Sequence, residues 1–341
     1  MHGVPMNEEH GSPAGGAARI TMRDLAALAG VSRTTVSHAL SGRGRVRAST
    51  RQRIRDLAAE VGFVPSATAL ALKTGRTGVL AIVNATRGGS LEYFMVAATA
   101  ASYAALEAGY APALVPTEGQ ETWVRQLAMD GAIVLDPLDD DPIMRVLDDR
   151  RRPVVTIGDE PRSSPWSGPM VRTDRAAGTS MVLDHLWDRG ARRPGLVIGR
   201  ESRRWIVETS AAYTRWMHEH GLEPAIAEAA EADPGRAGYQ AAHHLLRDPG
   251  VDAVYVPFDP MLDGVLAAIG DHRLEVPGEL RIVVQEGMRA RGGHPGLTAL
   301  DDRPGEVARI AMTALLDQLS SPGAATQTTL VRPHLIVRHT T

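Results

Sequence analysis

Residues 29–40 read AGVSRTTVSHAL. Val31, Val36, Ala39 and Leu40 are spaced for a short buried helical face, and between them stand Ser32, Arg33, Thr34, Thr35, Ser37 and His38. Most of those are middling or poor helix formers, so an outer face built from them needs a reason. Upstream, TMRD at 21–24 sets a hydroxyl at a helix cap and an acid three residues on, ahead of Leu25, Leu28 and Ala29. Gly30 ends that helix, and Ser32 caps the next, which runs from about Arg33 to Leu40. After the loop SGRGRVRA, Ser49 and Gln52 form a capping box for a third helix with inner face Ile54, Leu57, Ala58 and Val61, stopped by Gly62. Helix, glycine turn and capped second helix make the helix-turn-helix layout, whose second helix lies in the DNA major groove. Hydroxyls and an arginine at such a helix start donate to phosphates and base edges. The competing reading is a helical hairpin of an all-helical domain with its hydroxyls in water.

Charge separates the chain the same way. Residues 19–78 carry 11 basic and three acidic side chains, net +8, whereas residues 79–341 are net −9. A small basic head on a large acidic body suits a nucleic-acid-binding module joined to a part with another task, against the simpler reading of a solvated charged face. At 341 residues the chain is long enough for two or three domains. The absence of cysteine excludes disulfides, thiolate zinc sites and cysteine nucleophiles. No apolar run approaches the ~18 residues of a membrane span, and the first residues lack the basic start and apolar stretch of a signal peptide. The expectation is a cytoplasmic protein with no membrane partner.

Four segments follow. Residues 1–18, rich in Gly, Pro and polar side chains, read as a disordered tail, and 19–64 as the all-α helix-turn-helix head. Residues 65–77 read as a linker holding one short helix, and 78–341 as an α/β core. In that core the apolar runs GVLAIV, GAIVL, PVVTI, GLVIG and VDAVYV alternate with amphipathic helical stretches. The rhythm predicts doubly wound parallel sheets covered by helices on both faces, and about 260 residues of it predict two such lobes. Ligands of these folds sit beyond the carboxyl ends of the strands, here a cleft between the lobes.

The stretch from Ile20 to Gly78, with its TxxDLAxxAGVSxxTVSxxL core, resembles the head and hinge of the lactose-repressor (LacI/GalR) family of bacterial transcription regulators. DGAIVLDPL, RPVVTIGD, TDRAAGTSMVLDHLWDRGARRPGLVIG, PGVDAVYV, VPGELRIVV and PGLTAL resemble that family's effector core, which is similar to periplasmic sugar-binding proteins. The resemblance implies a homodimer on a roughly palindromic double-stranded operator, with a small molecule such as a sugar in the cleft altering operator affinity.

By the same resemblance the base-reading positions are Arg33, Thr34 and His38, the last standing where arginine is usual. Thr21, Ser32, Thr35 and Ser37 match phosphate-facing hydroxyls. Leu72 matches a leucine that wedges into a minor-groove step, with Lys73 supporting it. In the cleft the corresponding positions are Asp159, Thr209 in place of a ligand-holding arginine, Phe258 in place of asparagine and Gln285 in place of aspartate, with Glu92 and Met95 from the facing lobe. Arg203, Arg204 and Trp205 read as surface residues.

Enzyme signatures are missing: there is no GxxxxGK[ST] loop, HExxH or GxSxG. The pairs His218 with His220 and His243 with His244 lack the i, i+4 spacing of helical metal ligands. The expectation is a DNA-binding repressor without catalytic activity, metal or cofactor. Its rivals are a regulator whose core only dimerises and a solute-binding protein.

Overall fold

Side-chain caps set the starts of the first two helices of the N-terminal unit, and left-handed glycines follow the first and the third. The computed structural model describes residues 20–41, 44–63, 75–84, 91–116, 121–137, 141–158, 168–200, 203–229, 233–321 and 327–341. It divides into two units, residues 1–76 and 77–341. The expected tail at 1–18 and almost all of the expected hinge helix, with Leu72 and Lys73, lie outside the described residues.

Helix α1 (Met22–Ala29) opens on the capping box expected from TMRD, with the Asp24 N–H donating to Thr21 Oγ1 and the Thr21 N–H donating back to the Asp24 carboxylate. Those hydrogen bonds hold the exposed Asp24 carboxyl below its usual range. Gly30 closes the helix at φ 63°, ψ 34°, a conformation that favours glycine. Helix α2 (Arg33–Ser41) follows at once, its start capped by Ser32 Oγ, which accepts the Thr35 N–H at 3.1 Å. Helix α3 (Ala48–Glu60) departs from expectation, because it starts two residues earlier, at an Arg47 cap that makes no side-chain hydrogen bond. Ser49 therefore lies inside the first turn, and Gln52 donates forward to Asp56 at 2.8 Å instead of closing a capping box. Leu25, Ala26, Ala29, Val36, Ala39, Ile54 and Ala58 form the common core. Arg53 of α3 also donates to the last α1 carbonyl, Ala29 O, at 3.0 Å.

The second unit starts at a clamp. The buried Asp130 carboxylate accepts the Thr77 and Gly78 N–H groups at 2.7 and 2.8 Å, and the Thr77 hydroxyl at 3.0 Å. Beyond it lie β1 (Val79–Asn84), α4 (Leu91–Glu107), β2 (Ala111–Pro116), α5 (Glu121–Gln126), β3 (Gly131–Leu135), α6 (Pro142–Asp149), β4 (Val154–Ile157) and β5 (Met170–Thr173). Next come α7 (Arg175–Asp188), β6 (Pro194–Gly199), α8 (Arg204–Glu219), β7 (Ile226–Ala229), α9 (Pro234–Leu245) and β8 (Ala253–Val256). The chain ends with α10 (Leu262–Asp271), β9 (Arg281–Gln285), β10 (Thr298–Asp301), α11 (Pro304–Ser320), β11 (Thr328–Val331) and β12 (His334–Ile336). A short 3-10 turn, Asp259–Met261, leads into α10, and a π-helical turn, Arg289–Gly293, follows β9.

The strands form two six-stranded sheets, ordered β11-β5-β4-β3-β1-β2 and β12-β10-β9-β8-β6-β7. All pairings are parallel except the antiparallel β12 on β10, an edge strand that the parallel-only expectation did not include. Strand alternation feeds a core on each face. In the first lobe Leu80, Ile82, Ile133 and Leu135 meet the alanine-rich side of α4 and α11, while Ala81, Val83, Ala132 and Val134 meet α6. In the second, Val254, Val256, Ile282 and Val284 meet α9 and α10, while Tyr255, Val283, Leu196 and Ile198 meet α7 and α8. The chain crosses between the lobes at 174, at 302–303 and at 332–333. There the Asp174 N–H donates to Val331 O at 2.9 Å, and the Thr173 hydroxyl donates to Asp302 O at 3.0 Å.

Candidate nucleic-acid interface and interlobe cleft

On the head, Arg33 and Thr34 stand exposed in the first turn of α2, with Thr21 and Ser32 exposed beside the two helix starts. Thr35, Ser37 and His38 are half-buried. The Thr35 hydroxyl lies 2.9 Å from Ser32 Oγ, so two of the expected phosphate-facing hydroxyls already interact with each other within the cap. His38 is set by a glycine: a Cβ on Gly44, whose φ is +78°, would fall 2.5 Å from His38 Nδ1. The imidazole thus rests on the backbone of the loop after α2 instead of swinging freely in solvent. The buried face of α2 fixes its angle, and its first turn presents Arg33 and Thr34 outward.

In the core, the carboxyl ends of β6, β8, β9 and β10 and the starts of α7 and α8 bring together a polar cluster. Arg172, near the end of β5, places Nη1 2.7 and 2.6 Å from the two Glu208 oxygens on α8, an ion pair that joins the two lobes. Arg204 approaches the same carboxylate at 3.0 Å. Arg175, first residue of α7, pairs with Asp302 at 2.6 Å, and Asp302 is 3% exposed. Gln285 Nε2 donates to Asp302, and Gln285 Oε1 accepts the Asp259 N–H at 3.3 Å. Burial alone pulls the Arg175 guanidinium down, but Asp302 and the nearby Tyr93, Tyr255 and Asp136 outweigh it and hold it above its usual range. Burial pushes the Tyr93 and Tyr255 hydroxyls far up, with Asp136 and Asp302 adding to it at Tyr93 and Asp302 at Tyr255, so both stay neutral. Among the described buried atoms, Arg172 Nε, Thr209 Oγ1, Asp302 Oδ1 and Glu92 Oε2 have no hydrogen-bond partner.

The expected cleft residues fare differently. Gln285 belongs to this cluster. Thr209 is 1% exposed on the inner face of α8. Phe258 is buried and stacks on Trp205, ring centroids 5.7 Å apart. Glu92 reaches from α4 of the first lobe to the second, where the Met288 N–H and Arg291 face it. Met95, one turn on, is half exposed within an apolar stripe of α4. Asp159 lies outside the described residues. The surface reading of Arg203, Arg204 and Trp205 does not hold for the last two: Arg204 pairs with Glu208, and Trp205 packs against both cores of the second lobe. Sequence reasoning missed Arg172, Arg175, Glu208 and Asp302. Arg172 and Glu208 are 36 residues apart, and Arg175 and Asp302 well over 100, so no local spacing announces those pairs; the one local signal is Arg204 four residues before Glu208.

Burial raises the Glu92 carboxyl above its usual range, against the pull of Arg291 and the Met288 N–H. A raised carboxyl favours the folded state while protonated, and that contribution fades as pH rises through the shifted value. Glu92→Gln is therefore expected to raise Tm at pH 8 and to have less effect near pH 4. An equal effect at both pH values in thermal melts contradicts the burial of this charge.

The comparisons follow the same division. Residues 21–66 match the family of bacterial regulatory proteins called lacI, and residues 183–341 match the periplasmic binding protein-like domain. The HTH-type transcriptional repressor PurR of Serratia proteamaculans is 26% identical over 328 residues, spanning 93% of this chain and 96% of that protein. The chain belongs to the LacI family. It is a DNA-binding transcription regulator with a helix-turn-helix head and a two-lobed, periplasmic-binding-protein-like core. PurR of Escherichia coli O139:H28 is 25% identical over the same shares of the two chains. Among solved structures, the Lac repressor dimer bound to operator and the anti-inducer ONPF superposes with a TM-score of 0.76 at 22% identity, covering 94% of this chain and 98% of that one. The CelR–cellobiose complex gives 0.69 at 23% identity, covering 95% and 100%. These likenesses establish the LacI-family fold. No helix among the described residues is long and apolar enough to cross a membrane.

Proposed function

We propose that this LacI-family regulator is a cytoplasmic repressor that occupies a roughly palindromic operator as a homodimer, and that a small molecule in the interlobe cleft tunes its occupancy. Arg33, Thr34 and His38 read bases, Thr21, Ser32, Thr35 and Ser37 set position on phosphates, and Leu72 with Lys73 opens a minor-groove step. In the cleft, Glu92, Asp159, Thr209, Phe258 and Gln285 flank the ligand, with Met95 at its margin. The observation that carries the reading is the first turn of α2, held by a buried face and presenting an exposed arginine and hydroxyls. Dimerisation is supported by an apolar stripe on α4: Leu91, Met95, Tyr103 and Leu106 are each about half to two-thirds exposed, as are Leu114 of β2 and Trp123 of α5. Isolated apolar side chains are ordinary on a surface, but four large ones exposed along a single helix suit an interaction face. The relatives named above are transcriptional repressors by name, and the reading contains no catalytic step.

One observation favours a second reading, a core that dimerises without taking an effector: Arg172, Arg175 and Arg204 already have carboxylate partners. Thermal shift with sugars, nucleosides and phosphorylated metabolites separates the two. A ligand at ~100 times its Kd stabilises by about 2.7 kcal/mol, and an effector must also change affinity for the selected operator. A flat response across the set supports the dimerisation-only core.

A further inference from the structure

We infer that Trp205 is a built-in occupant of the cleft, an indole standing in the second lobe where the flat face of a ligand would otherwise lie. This rests on the reading of the cleft as the effector site. Trp205 follows the carboxyl end of β6 as the second residue of α8, Phe258 follows β8, and Asp302 follows β10. All three therefore stand on the edge of the sheet where ligands of such folds bind. Phe258 stacks on the indole with centroids 5.7 Å apart and an interplanar angle of 30°. The Arg175 guanidinium lies over the same ring, 5.7 Å from its centroid, and is itself fixed by Asp302 at 2.6 Å. An aromatic face and a guanidinium are the groups on which a flat ligand would stack, and here both are taken up by the Trp205 ring.

The surroundings argue against an ordinary core residue. A helix start is usually polar, yet this large aromatic side chain is only half-buried there, bordered by the charged pairs Arg172–Glu208, Arg204–Glu208 and Arg175–Asp302. It packs against both apolar cores of the second lobe and so bridges the helices on the two faces of its sheet. What the cluster leaves for an incoming molecule is polar: Asp302 Oδ1, Thr209 Oγ1 and Arg172 Nε, all buried and unpartnered. Trp205 is thus a specificity-determining residue. It keeps aromatic and nucleobase-like ligands off the Phe258 ring face and leaves the hydrogen-bonding positions of that lobe open.

The test is chemical complementation in the full chain. Trp205→Ala opens a space between the Phe258 ring and the Arg175 guanidinium, the two groups that hold the indole in the wild type, so a free indole can dock on the same stacking and cation-π contacts. Indole is expected to raise the Tm of Trp205→Ala by several degrees and to leave the wild type unmoved. Trp205→Leu, which keeps an apolar side chain in place, is carried alongside in case the alanine variant does not fold, and should show the same gain at smaller size. Indole that stabilises neither variant, or stabilises the wild type equally, overturns the inference. Operator titration of the variants with and without indole then examines the cleft itself. Rescue of Tm with a change in operator affinity supports both proposals, whereas rescue without one upholds Trp205 as occupant and contradicts the cleft as effector site.

Discussion

Asp302→Ala is expected to destabilise the core by about 3–5 kcal/mol, the cost of leaving a partly buried guanidinium without its carboxylate. The pair sits where the chain crosses between lobes: Arg175 opens α7, Asp302 follows β10, and the Thr173 hydroxyl donates to the Asp302 carbonyl at 3.0 Å. Alanine removes the Arg175 partner at 2.6 Å and the Gln285 amide's acceptor together. Two charges taken from water repay little when they are present, so the cost arises from the one left behind. Arg175→Met combined with Asp302→Leu removes both charges at similar volume and is expected to lose far less than the single change. Urea unfolding of the three proteins checks this. A single variant within 1 kcal/mol of wild type, or a double variant that is worse than the single, contradicts the account of the crossover.

The second large effect is expected on DNA. Arg33→Ala should weaken binding to the selected operator by about 1–3 kcal/mol, roughly 5- to 150-fold, and binding to random DNA by much less. The physical reason is geometry: a guanidinium donates in parallel to the two acceptors of a guanine edge, while a phosphate contact alone is blind to sequence. Arg33 is exposed in the first turn of α2, whose Val36 and Ala39 are fully buried and hold the helix angle. Its side chain can therefore reach outward without disturbing the head. Competition titrations at fixed salt measure both affinities, since the phosphate contribution varies with ionic strength. Equal losses on operator and random DNA make Arg33 a phosphate contact and remove its base-reading role.

The helical head was readable because its signals are local. TMRD, Gly30 and Ser32 each act within four residues, and the structure puts a cap or a left-handed turn at each. The one local misreading is at Ser49 and Gln52: the helix starts two residues earlier, at an Arg47 that gives no side-chain cap, and Gln52 pairs forward with Asp56. The central strands were equally visible, being continuous apolar runs covered on both faces. Edge strands carried weaker signals: β2 contains Pro112 and Pro116, β7 alternates in IAEA, and β12 is three residues long. The cleft was least legible. Thr209, Phe258 and Gln285 are all there, but what they face is set by Arg172, Arg175, Trp205, Glu208 and Asp302, brought together only by the crossing of two lobes. His38 shows the same limit on a smaller scale, since its imidazole is positioned by Gly44, beyond the end of its own helix.

The most direct measurement is selection of bound duplexes from a random DNA library by the full-length wild-type protein. The account predicts enrichment of one pseudo-palindromic sequence with two half-sites, because two copies of α2 related by a dimer axis must read the same edges in opposite directions. Recovery of sequences without a shared motif, or of a single half-site with no symmetric partner, contradicts a homodimeric, sequence-reading head.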